Sequence, residues 1–254
     1  MVKRILLTTL VSILFVGLSG GYFYHVGKEV RYLRSHTPCS SVDVIVKDSV
    51  SNTLVSAAEV YERIIPHIPM ACVDSIDLSS LESTVADMGE VAGAQAFRTG
   101  DRVIVELTQR TPVIRFIDAA GSRYADAEGY MFPVRSFTDV PVFTGIFPFN
   151  QEIDFKGYLE GSEKKWLQDA VDFACAISAN EYWNKHIEQV NVASNGDFIL
   201  YTNAGNQTVI FGDASAAGFK LKKLSAFYSS ILPTEKGPEY KTINLKYGNQ
   251  IICK

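Results

Sequence analysis

Residues 91–116 read VAGAQAFRTGDRVIVELTQRTPVIRF. Two extended runs, 91–97 and 103–108, flank a turn at Gly100, and this arrangement predicts a pair of strands. Val103, Val105 and Leu107 of the second run fall on one face of the strand, and Ile104, Glu106 and Thr108 fall on the other. We predict that helices cover this face and that a region richer in β-structure begins at Pro112.

Upstream of this stretch the sequence predicts one strand and two short helices. The alternating valines of 42–46 are typical of a strand. Ser56 stands three residues before a glutamate, which is the capping-box spacing at a helix start, and a second helix begins at Asp77 or Ser79. The order strand, helix, helix, strand, strand over residues 40–110 predicts a small sheet with two helices on one face, a compact α+β unit.

Downstream, residues 111–254 predict a β-rich domain with flanking helices, so the whole chain is assigned to the α+β class. Ser162 and Asp213 are the predicted N-caps of its two helices. Strands are predicted at 113–117, 130–134, 140–145, 187–192, 198–202, 207–211, 240–247 and 250–253.

The N-terminal region predicts a membrane anchor. Lys3 and Arg4 precede Ile5–Tyr24, 20 residues without a charge. As a helix this segment covers about 30 Å, the thickness of the hydrocarbon core of a bilayer. We predict a cytoplasmic tail at 1–4, a transmembrane helix at 5–24 and a juxtamembrane connector at 25–39. A cleaved signal peptide is the alternative, and in both cases the rest of the chain is exported.

Orientation rests on the short tail, because basic residues flank the apolar segment on both sides and the positive-inside count does not decide. The predicted topology is single-pass type II, with the bulk of the chain in the periplasm. Without its first 24 residues the chain has 22 Lys and Arg against 28 Asp and Glu. Such an acidic body repels phosphate backbones, so we predict no nucleic-acid partner.

The sequence offers few residue patterns that would indicate a catalytic or metal-binding site. The four cysteines, Cys39, Cys72, Cys175 and Cys253, form no Cys-x-x-Cys pair and no metal-like spacing with histidine, so neither a metal nor another cofactor is predicted. Cys39 and Cys72 form a disulfide or remain two separate thiols; the sequence leaves both readings open. No catalytic or phosphate-binding motif is present, and the chain is predicted not to be an enzyme.

Three clusters of residues are expected to serve the fold or the solvated surface rather than a binding site. The carboxylates of Asp118, Asp126 and Glu128 are interpreted as solvated turn residues, because their spacing does not match a calcium loop. The lysines at 220, 222 and 223 are interpreted as a solvated helix face. The phenylalanines at 143, 147, 149 and 155 are interpreted as core rather than as an exposed binding surface.

Several short motifs occur in an order that resembles a known family. Gln109–Arg115, reading QRTPVIR, is followed by Tyr124–Phe132, which is similar to a "D-x-x-G-x-x-F" hairpin, and by Val140–Gly145, which is similar to "L-P-x-L-x-G". Phe211-Gly212 and Ile243–Tyr247 are similar to the "L-G" and "V-D-L-R-Y" patterns of the same family. Together, behind one apolar segment, they resemble the FtsQ/DivIB family of bacterial cell-division proteins.

The resemblance implies a POTRA domain at 40–110 and a C-terminal β domain at 111–254. It also implies a divisome scaffold at the inner membrane of the division septum. Such a scaffold binds the bitopic proteins FtsL and FtsB, links early and late division proteins during septal peptidoglycan synthesis, and takes no small-molecule substrate. The implied partner-binding residues are Phe227, Tyr228, Lys246, Tyr247, Gly248, Asn249 and Ile251.

A free edge of the last strand offers a physical basis for this binding, because unpaired backbone groups accept a partner strand. Two alternatives remain at this point. The chain is another exported POTRA-containing assembly or secretion factor, or it is a periplasmic, membrane-anchored enzyme whose site the motifs do not reveal.

Overall fold

A computed structural model describes residues 2–47, 53–68 and 72–254, and in the first helix it leaves the side chains of 2–12 and 33–36 outside the described part. Within the described residues, contacts between Cα atoms separate a first unit, 2–47 and 55–108, from a second unit, 53–54 and 109–254. Each unit has its own sheet.

The first unit opens with a long helix and continues in the predicted order of strand, helix, helix, strand, strand. Helix α1 spans Val2–His36 and ends two residues before Pro38, since a proline disfavours helical conformation in the residue that precedes it. The other elements are β1 (Ser41–Lys47), α2 (Ala57–Ile64), α3 (Leu78–Ala86), β2 (Val91–Thr99) and β3 (Arg102–Gln109). Single 3-10 turns lie at Ile65–His67 and Val73–Ser75.

Over the described residues, no helix combines the length and the apolarity needed to cross a bilayer. Part of the predicted transmembrane segment, 5–12, has its side chains outside the described residues. The span at 5–24 stays a prediction.

The sheet of the first unit has the order β1-β3-β2, with β1 parallel to β3 and Val44 opposite Val105. Helix α2 packs on β1, and α3 packs on β2. Val103, Val105 and Leu107 of β3 are all buried, which confirms the predicted inward face.

Both helix starts in this unit are set by local side chains. Ser56 Oγ accepts a hydrogen bond from the Glu59 amide at 3.2 Å, as the sequence predicts. Asp77 Oδ1 accepts from the amides of Ser79 and Ser80 at 3.1 and 3.3 Å, so Asp77, and not Ser79, is the cap of α3. Each cap satisfies amides that the first turn of a helix cannot pair internally.

The second unit is built on one mixed ten-stranded sheet with three α-helices and a 3-10 turn at Gly237–Glu239. Its helices are α4 (Gly161–Ser178), α5 (Trp183–His186) and α6 (Ala217–Ala226), and α6 continues as a π-helical turn at Phe227–Ile231. Its strands are β4 (Pro112–Asp118), β5 (Gly121–Asp126), β6 (Tyr130–Pro133), β7 (Val142–Gly145), β8 (Gly157–Tyr158), β9 (Ile187–Val192), β10 (Phe198–Thr202), β11 (Thr208–Gly212), β12 (Thr242–Asn244) and β13 (Ile252–Cys253). The spatial order is β13-β12-β11-β10-β9-β7-β4-β5-β6-β8.

The core of this unit lies between the sheet and helix α4. Phe173 of α4 lies 4.4 Å from Phe211 and 5.3 Å from Phe198, measured between ring centroids. Phe143 and Phe149 are buried, and the phenylalanines at 147 and 155 pack against them as partly buried neighbours. The interpretation of this aromatic group as core is therefore confirmed.

Three predictions of local structure in the second unit were wrong. Helix α4 begins at Gly161 after Glu160, so Ser162 lies inside its first turn. Helix α6 begins at Ala217, four residues after Asp213, whose carboxylate instead accepts from the Ser215 amide at 3.0 Å. The strand predicted at 240–247 is limited to Thr242–Asn244, because the chain beyond it turns toward a lysine on α6.

Candidate functional site

The candidate site is the end of the ten-stranded sheet that contains β13. Strand β12 is paired on both sides, in parallel with β11 and antiparallel with β13. Within the described part of the chain no further strand pairs with the outer side of β13, which makes it an edge strand. A sheet edge presents backbone donors and acceptors to which another strand can bind.

The hydrogen bonds of Lys254 show which backbone groups face outward. The Lys254 amide donates to the Thr242 carbonyl at 3.0 Å, and the Thr242 amide donates to the Lys254 carbonyl at 2.9 Å. Because inward and outward groups alternate along an antiparallel strand, Ile252 also faces β12. The amides and carbonyls of Ile251 and Cys253 then point away from the sheet.

The turn at 245–251, which joins β12 to β13, converges on one ammonium group. Lys223 Nζ, on α6, donates to the carbonyls of Leu245 at 3.0 Å, Tyr247 at 2.5 Å and Gln250 at 3.4 Å. Burial lowers the pKa of Lys223, and the nearby charge of Lys220 lowers it further. These contacts tie the turn to the helix.

The predicted partner residues within the turn are mostly accessible. Lys246 Nζ lies 2.8 Å from Asp197 Oδ2, and this hydrogen bond raises the pKa of Lys246. Tyr247 is 48% exposed, and Gly248 and Asn249 are exposed beside it. Ile251 is partly buried against the core. The structure therefore brings five of the seven predicted residues together.

The other two predicted residues lie on the π-helical turn and have different surroundings. Phe227 is fully buried and offers no exposed side-chain surface. The Tyr228 hydroxyl lies 3.1 Å from Thr202 Oγ1, and the Tyr228 ring packs edge-on against Trp183 at 5.4 Å. Burial raises the pKa of Tyr228. Both side chains support the sheet from within.

The sequence analysis misinterpreted Lys220 and Lys223, and it did not identify the contacts that Lys223 makes with the turn. Lys220 is buried and bonds Asp213 Oδ1 at 2.7 Å, Lys223 is half-buried, and only Lys222 of the three is exposed. The interpretation as a solvated face was therefore wrong for Lys220 and Lys223 and is confirmed for Lys222. Their spacing contained the signal, because 220, 223 and 227 recur at helical intervals and place both lysines beside the buried Phe227.

Two of the family-like motifs are joined by an ion pair, since Arg110 belongs to Gln109–Arg115 and Asp126 belongs to Tyr124–Phe132. Arg110 Nη1 lies 2.7 Å from Asp126 Oδ2, and the guanidinium group stacks on the Tyr130 ring at 3.5 Å. Asp126 Oδ1 also accepts from the amides of Glu128 at 3.1 Å and Tyr130 at 2.8 Å. The motif therefore fastens the chain entering β4 to the β5–β6 hairpin.

The interpretation of the three turn carboxylates as solvated was wrong for two of them. Asp126 is buried, and Asp118 pairs with the buried Arg123. Only Glu128 is exposed. Each of the other two carboxylates pairs with an arginine, Asp118 with Arg123 and Asp126 with Arg110.

Steric constraints explain why glycine ends the motif at 140–145. Gly145 has φ of +101°, and a Cβ atom there would lie 2.3 Å from the Val192 carbonyl oxygen. A left-handed conformation and a close backbone neighbour both favour glycine.

Among the described residues, no group of three or more His, Cys, Asp or Glu side chains is placed to hold a metal ion.

Comparison with known proteins gives the same family as the motifs. The family model described as "FtsQ/DivIB, C-terminal related" matches residues 111–254. The chain belongs to the FtsQ/DivIB family. It is also similar to the cell division protein FtsQ of Rhodothermus marinus, with 30% identity over 202 residues, which cover 73% of this chain and 70% of that protein. FtsQ/DivIB membership implies a role in cell division.

Proposed function

We propose that this FtsQ/DivIB protein is a non-enzymatic divisome scaffold that binds FtsL- and FtsB-type bitopic proteins at the β13 edge. One observation carries the proposal: the backbone groups of Ile251 and Cys253 face outward from the last strand, beside the exposed Tyr247. A partner strand that pairs with β13 would gain main-chain hydrogen bonds, and an aromatic side chain next to them is a favoured anchor.

The proposed binding residues are now divided by their surroundings. Lys246, Tyr247, Gly248, Asn249 and Ile251 form the contact surface, since they cluster around the edge. Phe227 and Tyr228 would not contact the partner; they would support the contact surface through their packing in the core. Among these five residues Lys246 is the cation; its ammonium group already bonds Asp197, and an acidic residue on the partner would add a second charged neighbour.

The proposed cellular arrangement follows the family. Residues 5–24 would anchor the chain in the inner membrane, and the two units would lie in the periplasm at the division septum. The order of strand, helix, helix, strand, strand in the first unit supports a POTRA domain at 40–110, followed by the β domain at 111–254. A reporter that is active only in the periplasm, fused after Lys254, should be active; a silent fusion would reverse the topology.

The edge model is tested with Ile251→Pro and Ile251→Ala. Proline removes the outward amide of Ile251 and leaves the inward bonds of Ile252 and Lys254 in place. Alanine keeps that amide and shortens the side chain. We expect Ile251→Pro to lose capture of the periplasmic segment of the FtsB-type protein from the same organism, and Ile251→Ala to retain most of it.

Two results would count against this model. Equal capture by wild type and Ile251→Pro would show that the outward amide is not used. Equal loss in both variants would instead assign the contact to the side chain of Ile251. Circular dichroism of each variant confirms that the sheet is intact.

A further inference from the structure

The final strand is too short to determine its own position. Strand β13 contributes two paired residues, Ile252 and Cys253, and Lys254 adds one more exchange of hydrogen bonds with Thr242. A pairing of this length is weak in isolation. The position of the outward groups of Ile251 and Cys253 therefore depends on the turn at 245–251 that precedes them.

That turn has few internal bonds of its own. The Lys246 amide donates to Asn244 Oδ1 at 3.0 Å, and the Leu245 amide donates to the Ile210 carbonyl at 2.9 Å, so its first two residues are fixed to the sheet. From Tyr247 to Gln250 the residues are exposed. The contacts of Lys223 with the Tyr247 and Gln250 carbonyls reach into this exposed part.

Three carbonyl oxygens pointing at one place repel each other unless a cation lies between them. Lys223 Nζ occupies that position, and an ammonium group has three protons to donate. The neighbouring lysines do not substitute for it. Lys220 Nζ is bonded to the carbonyl and the carboxylate of Asp213, at 2.9 and 2.7 Å, and Lys222 is exposed.

We propose that Lys223 is the positioning residue of the partner site: its ammonium group gathers the carbonyls of the turn at 245–251 and thereby holds Tyr247 and the outward backbone of β13 in the form that binds the partner strand. This inference rests on the proposed function and deepens it. Lys223 acts through the turn and has no contact with the partner itself.

The test compares Lys223→Met, Lys223→Arg and Lys222→Met in the full chain. Methionine keeps the length and apolar stem of lysine and removes the cation; arginine keeps the charge and several donors. Lys222→Met removes the same charge one residue away and is the matched control. If the ordered turn falls to a tenth of the population, affinity falls about tenfold, because apparent affinity scales with the competent fraction.

We expect Lys223→Met to bind the periplasmic segment of the FtsB-type protein about tenfold more weakly, with an unchanged melting temperature. Amide hydrogen exchange should become faster at 245–251 and stay unchanged in β9 and β10. Lys223→Arg should recover part of the affinity, and Lys222→Met should behave as wild type. If Lys223→Met does not fold, Lys223→Gln takes its place, since its amide retains two donors.

Three outcomes overturn the inference: wild-type affinity in Lys223→Met, unchanged exchange at 245–251, or an equal loss in Lys222→Met, which would indicate general charge attraction. A wild-type chain that fails to bind the segment would refute the proposed function instead. The exchange comparison then still decides whether Lys223 orders the turn.

Discussion

Replacing Arg110 by methionine tests whether the motif at Gln109–Arg115 contributes to stability. The Asp126 side chain is 4% exposed and the Arg110 side chain is 14% exposed. Removal of one partner from such a pair leaves a buried carboxylate without its counter-charge, which costs about 3–5 kcal/mol. The amides of Glu128 and Tyr130 still bond Asp126 Oδ1. We therefore expect the lower end of that range, about 3 kcal/mol.

The double-mutant cycle with Asp126→Asn separates the pair from its surroundings. Asparagine keeps an acceptor for the two amides and removes the charge, so Arg110→Met should be far less damaging in the Asp126→Asn background. The coupling free energy should be about 2 kcal/mol, within the range for residues in direct contact.

Urea unfolding followed by tryptophan fluorescence is a suitable assay, because both tryptophans, Trp166 and Trp183, lie in the second unit with the pair. The exposed Lys222→Met is the control and should leave the unfolding midpoint unchanged. A loss below about 1 kcal/mol for Arg110→Met, the value of an exposed ion pair, would refute the assignment of a buried structural pair. Additive effects in the cycle would refute direct coupling.

Three other changes have defined outcomes. Gly145→Ala should lower the free energy of unfolding in urea by about 3 kcal/mol, because its positive φ is strained for alanine and the added Cβ meets the carbonyl of β9. The hydrogen bond from Lys220 lowers the pKa of Asp213 from its ordinary value of 3.8. This contribution to stability is present above pH 3.8 and is lost as pH falls through the folded-state pKa, so acid titration of Asp213→Asn should lack that step. Burial raises the pKa of Cys253, so alkylation of that thiol at pH 8 should be slower than alkylation of a cysteine in an unfolded peptide. The rate should increase in urea.

The first unit was predictable because its signals are local. Ser56 and Asp77 cap helices through amides two or three residues away, so a short window of sequence contains both partners. The buried face of β3 follows from alternation alone. Nothing from distant parts of the chain is needed to find these elements.

The second unit was predicted less completely, because its decisive contacts join distant residues. Asp213 has the composition of a helix cap, but Lys220 and Ser215 take its carboxylate and the helix begins later. Lys223 contacts a carbonyl 24 positions away at Tyr247, and periodicity does not reveal such a pairing. The composition of 245–247 predicted a continuing strand, but the contacts of Lys223 with the carbonyls of 245–250 belong to a turn.

Two sets of residues are under different physical constraints: those of the family motifs, and those proposed to bind the partner. Arg110, Asp126 and Gly145 each make a contact that few other residue types could make, so folding alone accounts for them. At Gly248 an added Cβ would have no heavy atom within 4 Å, and Asn249 is exposed, so folding places little restriction on either position. Any requirement for particular side chains there must come from outside the chain, which is the distinction expected between a scaffold's fold and its binding surface.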